Sequence, residues 1–154
     1  MAILTIGNIA PNFSLLAIDG KKYSLKDFKG KKIVLYFYPK DDTSGCTAEA
    51  CSFRDNLSAI KKKGAVVIGV SPDGIKSHEK FVSKYDLNFP LLSDESKEIL
   101  TEYGVWQEKS MYGRKYMGVV RTTFIIDEKG KISHVFPKVT VDGHTEEILT
   151  TLSK

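Results

Sequence analysis

The sequence predicts an α/β fold in which helices flank a mixed central β-sheet. Two apolar runs rich in β-branched and aromatic residues, 32–38 and 65–70, have the composition of strands buried on both faces. A segment with helical periodicity follows each of these runs. Near the C-terminus, two strand-like segments are joined by a short Asp-Glu-Lys-Gly turn, which indicates an antiparallel pair in the same sheet.

The composition is that of an ordinary globular protein. The 154 residues suit one domain over 1–154, and 42% of them are hydrophobic. The formal net charge of +4 is too small to indicate a nucleic-acid partner, and the lysine runs at 29–32 and 61–63 lack interleaved aromatic residues. No run approaches the ~18 apolar residues of a membrane span, and residues 1–13 lack a signal-peptide pattern. We therefore expect a cytoplasmic protein with no membrane partner.

The first half of the chain is predicted to form a hairpin and then a strand–helix–strand unit. An Asp-Gly turn joins the two strands of this N-terminal hairpin. Pro39 ends the central strand because proline cannot donate to a sheet ladder, and Gly64 closes the following helix. The predicted elements are strands 13–17, 22–25 and 32–38, a helix over 45–63, and strand 65–70.

The second half is predicted to add further helices around the sheet. Its elements are helix 75–85, strand 89–92, helix 95–103, strand 119–126, turn 127–130, strand 131–136 and helix 144–153. Residues 105–118 show no clear period and are expected to form the longest loop, which in a compact domain tends to be functional. A βαβ unit near the start and a ββα unit at the end form the thioredoxin-like arrangement.

Both cysteines lie at the start of the long predicted helix. Cys46 follows the segment 39–45 and falls in the first helical turn. A thiol there feels the positive end of the helix dipole and unpaired backbone N–H groups, which favour the nucleophilic thiolate. Because the cytoplasm keeps most thiols reduced, the close pair indicates catalysis or metal binding rather than a permanent disulfide.

The segment just before Cys46 contains three residues that suit a substrate with two adjacent oxygens. The Thr43 hydroxyl can donate to one group and accept from another. Gly45 leaves space for close approach of the backbone. Pro39 shields one side of the pocket without adding a competing donor.

A thiolate also needs a nearby cation, and we select Arg121 for this role. It begins the largely apolar segment 121–127, where a charge is costly unless it is paired. Arg54 lies about two helical turns after Cys46 and is a secondary candidate. Arg114 falls in the predicted long loop and is expected to be solvated.

The second thiol, Cys51, follows Cys46 by five residues. In an intact helix the two Cα atoms are about 8–9 Å apart and the side chains about 140° apart around the axis, which is too far for a disulfide. Either Cys51 is an inert core thiol, or the first turns unwind and it resolves oxidised Cys46. We favour the resolving role, because a helix start with unbonded N–H groups costs least to unwind.

The motifs around these residues resemble those of the peroxiredoxins. Pro39-x3-Thr43-x2-Cys46 matches the peroxiredoxin active-site pattern. The segments 7–13, 36–55, 104–109 and 118–124 resemble the Q-type subgroup, the bacterioferritin comigratory proteins, and the likeness extends over residues 5–152. Ser44 departs from the subgroup, which usually has proline there, and its hydroxyl can serve as an N-cap.

The resemblance implies a thioredoxin-like thiol peroxidase that reduces hydrogen peroxide and organic hydroperoxides. Cys46 is then the peroxidatic cysteine, Thr43 and Arg121 activate it, and Pro39 shields it. Cys51 matches the resolving position, so that catalysis passes through a sulfenic acid and an intramolecular Cys46–Cys51 disulfide. Thioredoxin or a similar dithiol is the expected reductant and the chain the expected monomer. We expect neither a cofactor nor a metal.

Two other functions compete with this one. A thioredoxin-like dithiol oxidoreductase has Cys-x-x-Cys, whereas this chain has Cys-x4-Cys. A zinc-binding module needs four ligands, and no spacing among His78, His134 and His144 fits such a site. The three histidines are instead expected on a helix surface, in a strand and at a helix start, in that order.

The sequence leaves the roles of four further residues open. For Trp106, Tyr112 and Tyr116 in the predicted loop, packing at the sheet edge is favoured, and a pocket wall or a docking surface for the reductant is the alternative. Glu49 lies three residues after Cys46, where it either caps the helix start, contacts Arg121 or faces water.

Overall fold

The computed structural model describes residues 3–153, so residues 1, 2 and 154 at the ends of the predicted domain lie outside the described residues. The strands are β1 (Leu15–Leu16), β2 (Lys22–Tyr23), β3 (Lys32–Phe37), β4 (Ala65–Ser71), β5 (Leu91–Ser93), β6 (Trp106–Met111), β7 (Arg114–Val119), β8 (Thr122–Ile126) and β9 (Ile132–Phe136). The α-helices are α1 (Ser44–Lys62), α2 (Ile75–Tyr85), α3 (Glu98–Glu102) and α4 (His144–Leu152).

A mixed seven-stranded sheet forms the centre of the fold. Its strand order is β2-β1-β5-β4-β3-β8-β9. The pairs β3–β4 and β4–β5 are parallel, and the other pairs are antiparallel. The predicted mixed sheet is therefore confirmed. The predicted N-terminal hairpin is also confirmed, although β1 and β2 have only two residues each.

Strand β3 is buried on both faces because its side chains alternate between two cores. Ile33, Leu35 and Phe37 enter one core, which α3 covers. Val34 and Tyr36 enter the other, which α1, α2 and α4 cover. The helical residues buried in this second core are Cys46, Ala50, Phe53, Leu57, Ile60, Phe81, Ile148 and Leu152. The start of α1 thus lies at the C-terminal end of β3, against the sheet.

The prediction of a loop over 105–118 is wrong. Strands β6 and β7 pair antiparallel along their whole length and form a separate hairpin. Tyr112 and Gly113 at its tip have φ of 52° and 76°, as a two-residue type I′ turn requires. Most side chains of this hairpin are exposed on both faces. No alternation of polar and apolar residues therefore marks these strands in the sequence.

The strand predicted over 119–126 is interrupted. Val119 belongs to β7 and Thr122 begins β8, so Val120 and Arg121 connect the hairpin to the central sheet. The Arg121 carbonyl accepts the Val139 N–H at 2.8 Å, which ties this link to the segment before α4. Within residues 3–153, no helix is both long and apolar enough to cross a bilayer.

Candidate active site

Cys46 lies in the first turn of α1, after the short loop that follows β3. Thr43 is the N-cap, with extended backbone, and the first helical hydrogen bond runs from the Thr47 N–H to the Thr43 carbonyl at 2.8 Å. The amides of residues 43–46 thus lie ahead of the helical ladder. They and the helix dipole favour negative charge on the sulfur of Cys46, a residue that is only 1% exposed.

The loop before α1 lies beside the first turn of this helix, and one prediction about its side chains is corrected by the structure. The Thr43 hydroxyl is exposed and donates to the Lys40 carbonyl at 2.9 Å, which leaves its oxygen free to accept a hydrogen bond. Pro39 is half-buried at the start of the loop. The idea that the Ser44 hydroxyl caps α1 is wrong, because Ser44 is the first helical residue and no side chain caps this helix.

Arg121 brings a cation to the sulfur. Its Nη2 lies 3.1 Å from Cys46 Sγ, and its Nη1 lies 2.7 Å from Glu49 Oε1. The residue stands just before β8, whose first residue pairs with Phe37 at the end of β3. Burial by itself lowers the pKa of Arg121, but the Glu49 carboxylate and the Cys46 sulfur outweigh it and the net shift is upward. The guanidinium therefore stays charged and donates to the Cys46 sulfur.

Glu49 lies one helical turn after Cys46 and on the same face of α1. Its side chain is 2% exposed, and within the described residues its Oε2 has no hydrogen-bond partner. Burial raises the pKa of the Glu49 carboxyl to about 7, and the Arg121 guanidinium opposes this shift. The sequence left three roles open for Glu49, and the structure shows the one in which it contacts Arg121. Glu49 thereby orients the guanidinium toward the sulfur.

Gly45 lies directly under the Arg121 guanidinium. A Cβ atom at this position would sit 3.2 Å from Nη2, closer than an ordinary van der Waals contact. The missing side chain lets the guanidinium rest on the helix start. The space beside Gly45 was predicted to let the backbone approach closely, and it is occupied by the Arg121 side chain.

The other two arginines point elsewhere. Arg54 donates from Nε to Asp55 at 2.9 Å and from Nη1 to the Tyr85 carbonyl at 2.5 Å. Arg114 is exposed in β7. Arg54, the secondary candidate, is therefore engaged with the end of α2 rather than with Cys46.

Cys51 shares helix α1 with Cys46, and both thiols are unpaired. Cys51 is half-buried, whereas Cys46 is buried. Five residues of α-helix separate the two by about 7.5 Å along the axis and turn the side chains about 140° apart. A disulfide between them therefore requires the start of α1 to unwind.

Sequence reasoning missed Lys109, a half-buried lysine of β6 whose charge interacts with Arg121 and Cys46. Its side chain lies over Gly118 on the β6–β7 hairpin, where an added Cβ would meet Lys109 Cδ at 3.2 Å. Burial lowers the pKa of Lys109 and the nearby Arg121 guanidinium lowers it further, while Cys46 opposes both. Lys109 is therefore a second basic group that is electrostatically coupled to Cys46. Its only sequence signal is its place in the 104–109 motif.

The expectation that His78 lies on a helix surface is wrong. Its side chain is 0% exposed and contacts Asp41, in the loop before Cys46, at 2.6 Å. His134 is exposed in β9, and His144 begins α4 as expected. The error at His78 arises because the loop after β3 folds over α2 and covers a position that polar neighbours in the sequence mark as exposed.

The three aromatic residues of the β6–β7 hairpin divide between two environments. Trp106 is half-buried and packs against the core that α3 covers. Tyr116 is 43% exposed and Tyr112, at the tip, is 98% exposed. Packing at the sheet edge therefore holds for Trp106 but is wrong for Tyr112.

Fold and site together define a class of protein: a thioredoxin-like domain with an arginine-paired cysteine at a helix start. The family model described as the AhpC/TSA family matches residues 6–135. The chain therefore belongs to the AhpC/TSA family.

Named relatives lie in the peroxiredoxins. Peroxiredoxin Bcp of Escherichia coli is 44% identical over 151 residues, covering 98% of this chain and 97% of the relative. A Bcp homologue from Coxiella burnetii is 52% identical over 149 residues, covering 97% and 99%. These relatives confirm the resemblance to the bacterioferritin comigratory, or Q-type, peroxiredoxins.

Solved structures agree with this assignment. The bacterioferritin comigratory protein of Xanthomonas campestris superposes with a TM-score of 0.90 at 35% identity, covering 99% of this chain and 98% of that one. A mutant of PrxQ from Xylella fastidiosa superposes with a TM-score of 0.93 at 34% identity, with the same coverage. The predicted thioredoxin-like fold is thereby confirmed.

Proposed function

We propose that the protein is a thiol-dependent peroxidase in which Cys46 attacks hydrogen peroxide or an organic hydroperoxide. The observation that carries this is the 3.1 Å contact between Arg121 Nη2 and Cys46 Sγ. An N–H donor at this distance favours the thiolate, which is the nucleophile. Two comparisons support the proposal: the Escherichia coli relative is named a peroxiredoxin, and the Xanthomonas campestris structure comes from work on alkyl peroxide reduction.

The first step transfers one oxygen to sulfur. The Cys46 thiolate attacks the terminal peroxide oxygen, the S–O bond forms as the O–O bond breaks, and Cys46 becomes a sulfenic acid. The other oxygen departs as hydroxide or alkoxide and takes up a proton to give water or alcohol. Arg121 acts twice, because it stabilises the thiolate before the attack and the negative charge that develops on the leaving oxygen.

Thr43 and Pro39 are assigned to orienting the peroxide. The Thr43 hydroxyl already donates its hydrogen to the Lys40 carbonyl, so the hydroxyl oxygen of Thr43 is available to accept a hydrogen bond from the peroxide O–H. Pro39 offers no N–H that would compete for the peroxide oxygens. Both residues sit on the loop that leads into α1, where the substrate must approach the buried sulfur.

The second step joins the two cysteines. The Cys51 thiol attacks the Cys46 sulfenic sulfur, the S–S bond forms and water departs. The intact helix holds the two apart, so the start of α1 unwinds in this step. An external dithiol, for which thioredoxin is the proposed reductant, then reduces the disulfide by exchange. Such a cycle needs a reducing compartment, which supports a cytoplasmic location.

We propose that one chain suffices for this cycle. Both redox cysteines lie in α1, so no residue from a second subunit is required. A monomer is therefore the expected oligomeric state, and sedimentation of the reduced and oxidised protein measures it.

A dithiol oxidoreductase is the competing function, and one experiment separates the two. One equivalent of hydrogen peroxide is added in a stopped-flow fluorimeter that follows the fluorescence of Trp106. The intact mass of the quenched product is then measured by mass spectrometry. A peroxidase gives a fast phase and a mass loss of two hydrogens, both absent in Cys46→Ser. Absence of reaction over minutes, together with reduction of a protein disulfide by the same sample, would favour the oxidoreductase.

A further inference from the structure

A buried histidine–aspartate pair ties the loop ahead of Cys46 to helix α2. His78 Nδ1 lies 2.6 Å from Asp41 Oδ2, and His78 Nε2 lies 3.0 Å from the Leu92 carbonyl. The side chains of His78 and Asp41 are 0% and 3% exposed. No step of the peroxidase cycle described above uses either residue, although Asp41 lies in the loop 39–43 that sets the start of α1.

Asp41 is held from three elements that flank the loop. Tyr38, just after β3, donates its hydroxyl to Oδ1 at 2.6 Å, and Ser77 of α2 donates to Oδ2 at 2.8 Å. The Asp41 N–H donates to Asp73 Oδ2, in the segment after β4, at 2.7 Å. Both the side chain and the backbone of this residue are thus fixed, which anchors the loop at one point.

The contacts of His78 determine where its protons lie. A backbone carbonyl only accepts hydrogen bonds, so Nε2 must carry the hydrogen that goes to Leu92. The facing Asp41 oxygen is also an acceptor, so a second hydrogen must lie between it and Nδ1. Because both Asp41 oxygens also accept hydrogen bonds, from Tyr38 and Ser77, we assign this bridging hydrogen to Nδ1, which makes the pair an imidazolium and a carboxylate. Without that bridging hydrogen, two acceptors would face each other in a buried site, at a high cost in free energy.

We propose that Asp41 and His78 are positioning residues for the peroxidase reaction. The pair holds the loop 39–43 closed, so that Thr43 stays at the N-cap of α1 and Cys46 stays against Arg121. This inference rests on the proposed function. It has a specific consequence, because the two chemical steps need opposite states of the loop: oxidation of Cys46 needs the helix start formed, whereas disulfide formation needs it unwound.

The test measures the two steps separately in the full chain. Oxidation of Cys46 by hydrogen peroxide is followed in a Cys51→Ser background, and disulfide formation is followed with Cys51 present. We expect Asp41→Asn and His78→Gln each to slow the oxidation by about tenfold or more, since a small displacement of a reacting group has effects of this size. Disulfide formation stays at the parent rate or becomes faster. Because the residues act as one pair, the double variant loses no more than the larger single effect.

Two matched variants serve as controls. Asp42 is the loop residue after Asp41, and its exposed carboxylate contacts Lys84 Nζ at 2.9 Å and the Tyr85 hydroxyl at 2.7 Å, both in α2. The variant Asp42→Asn disrupts these contacts. His134→Gln removes an exposed histidine. Both should oxidise within about twofold of the parent, because exposed pairs contribute little. An oxidation rate in Asp41→Asn that is also within twofold, or an equal slowing of both steps, overturns the proposal.

A nitrogen-15 NMR spectrum of the labelled protein tests the pair without any reaction. Both ring nitrogens of His78 should carry a hydrogen in the parent, and only one in Asp41→Asn. A singly protonated His78 in the parent overturns the proposal. If Cys46 of the parent does not react with peroxide, the proposed function fails, and the proton count on His78 still reports on the pair.

A milder variant covers the case in which the first two do not fold. Ser77→Ala removes one donor to Asp41 and leaves His78 in place. It should slow the oxidation of Cys46 several-fold with no slowing of disulfide formation. An unchanged oxidation rate in folded Ser77→Ala overturns the proposal.

Discussion

The Arg121 guanidinium contacts the Cys46 sulfur at 3.1 Å, although 75 residues separate the two in the chain. The contact exists because β8 runs antiparallel to β3 and delivers Arg121 to the same end of the sheet from which the chain enters α1. Glu49 holds the second guanidinium nitrogen at 2.7 Å. The cation is thus fixed from both sides before any peroxide arrives.

Replacement of Arg121 should reduce the reaction of Cys46 with peroxide. Arg121→Lys keeps a positive charge but cannot bind Cys46 and Glu49 at once with a planar fork. We expect the second-order rate constant to fall by about 10²-fold, a typical effect of losing one donor to developing charge. Stopped-flow fluorescence measures it. Arg114→Lys, on the exposed hairpin, is the control and should react like the parent.

Glu49 should make stability fall as the pH rises. Its pKa is about 7 in the folded protein, above the ordinary 4.5, so the folded state binds more protons than the unfolded chain between these values. The contribution of Glu49 to stability is therefore largest below about pH 4.5 and is lost as the pH rises through 7, by roughly 3 kcal/mol at most. Urea unfolding at several pH values measures this contribution. It should disappear in Glu49→Gln and persist in Glu146→Gln, which changes an exposed glutamate.

A methyl group at position 45 should displace the guanidinium. The Cβ of Gly45→Ala would lie 3.2 Å from Arg121 Nη2, so the arginine must shift by a few tenths of an ångström. We expect oxidation of Cys46 to slow by roughly tenfold, with little change in unfolding temperature. Ser44→Ala, at the exposed neighbouring position, should leave the rate unchanged. Equal rates for the two variants would contradict the close fit at Gly45.

Removal of the second thiol should separate the two chemical steps. Cys51→Ser retains Cys46, Arg121 and Glu49, so its first reaction with peroxide should proceed at the parent rate. The product should then carry one extra oxygen instead of losing two hydrogens, and turnover with thioredoxin should stop. Intact mass and a coupled turnover assay measure both outcomes. Full turnover of this variant with the same reductant would assign Cys51 to an inert role.

Much of the site is local in the sequence and could be predicted from it. Pro39, Thr43 and Cys46 lie within eight consecutive residues, and the end of a buried strand followed by a helix places them by short-range rules alone. Arg121 is far away in the chain, but a charge in an apolar segment implies a buried partner. The core strands and long helices were predictable for a similar reason, since their burial leaves a regular pattern.

The features that could not be predicted from the sequence are those that leave no regular pattern in it. The β6–β7 hairpin is exposed on both faces, so neither face selects for apolar residues. His78 has polar neighbours in α2, and only the loop that crosses it makes the position buried. Glu49 has three plausible surroundings in the sequence, and its contact with Arg121 depends on where β8 ends relative to α1.

The sequence by itself determined the class of fold, the position of Cys46 at a helix start and the choice of Arg121 as its cationic neighbour. Those conclusions follow from periodicity, turn residues and the cost of an unpaired charge, which act over a few residues. Only the tertiary structure decided that Glu49 contacts Arg121, that the charge of Lys109 interacts with Arg121 and Cys46, and that His78 contacts the loop through Asp41. These are contacts between separate elements. Their distances depend on how the strands are ordered in the sheet, which no local pattern encodes.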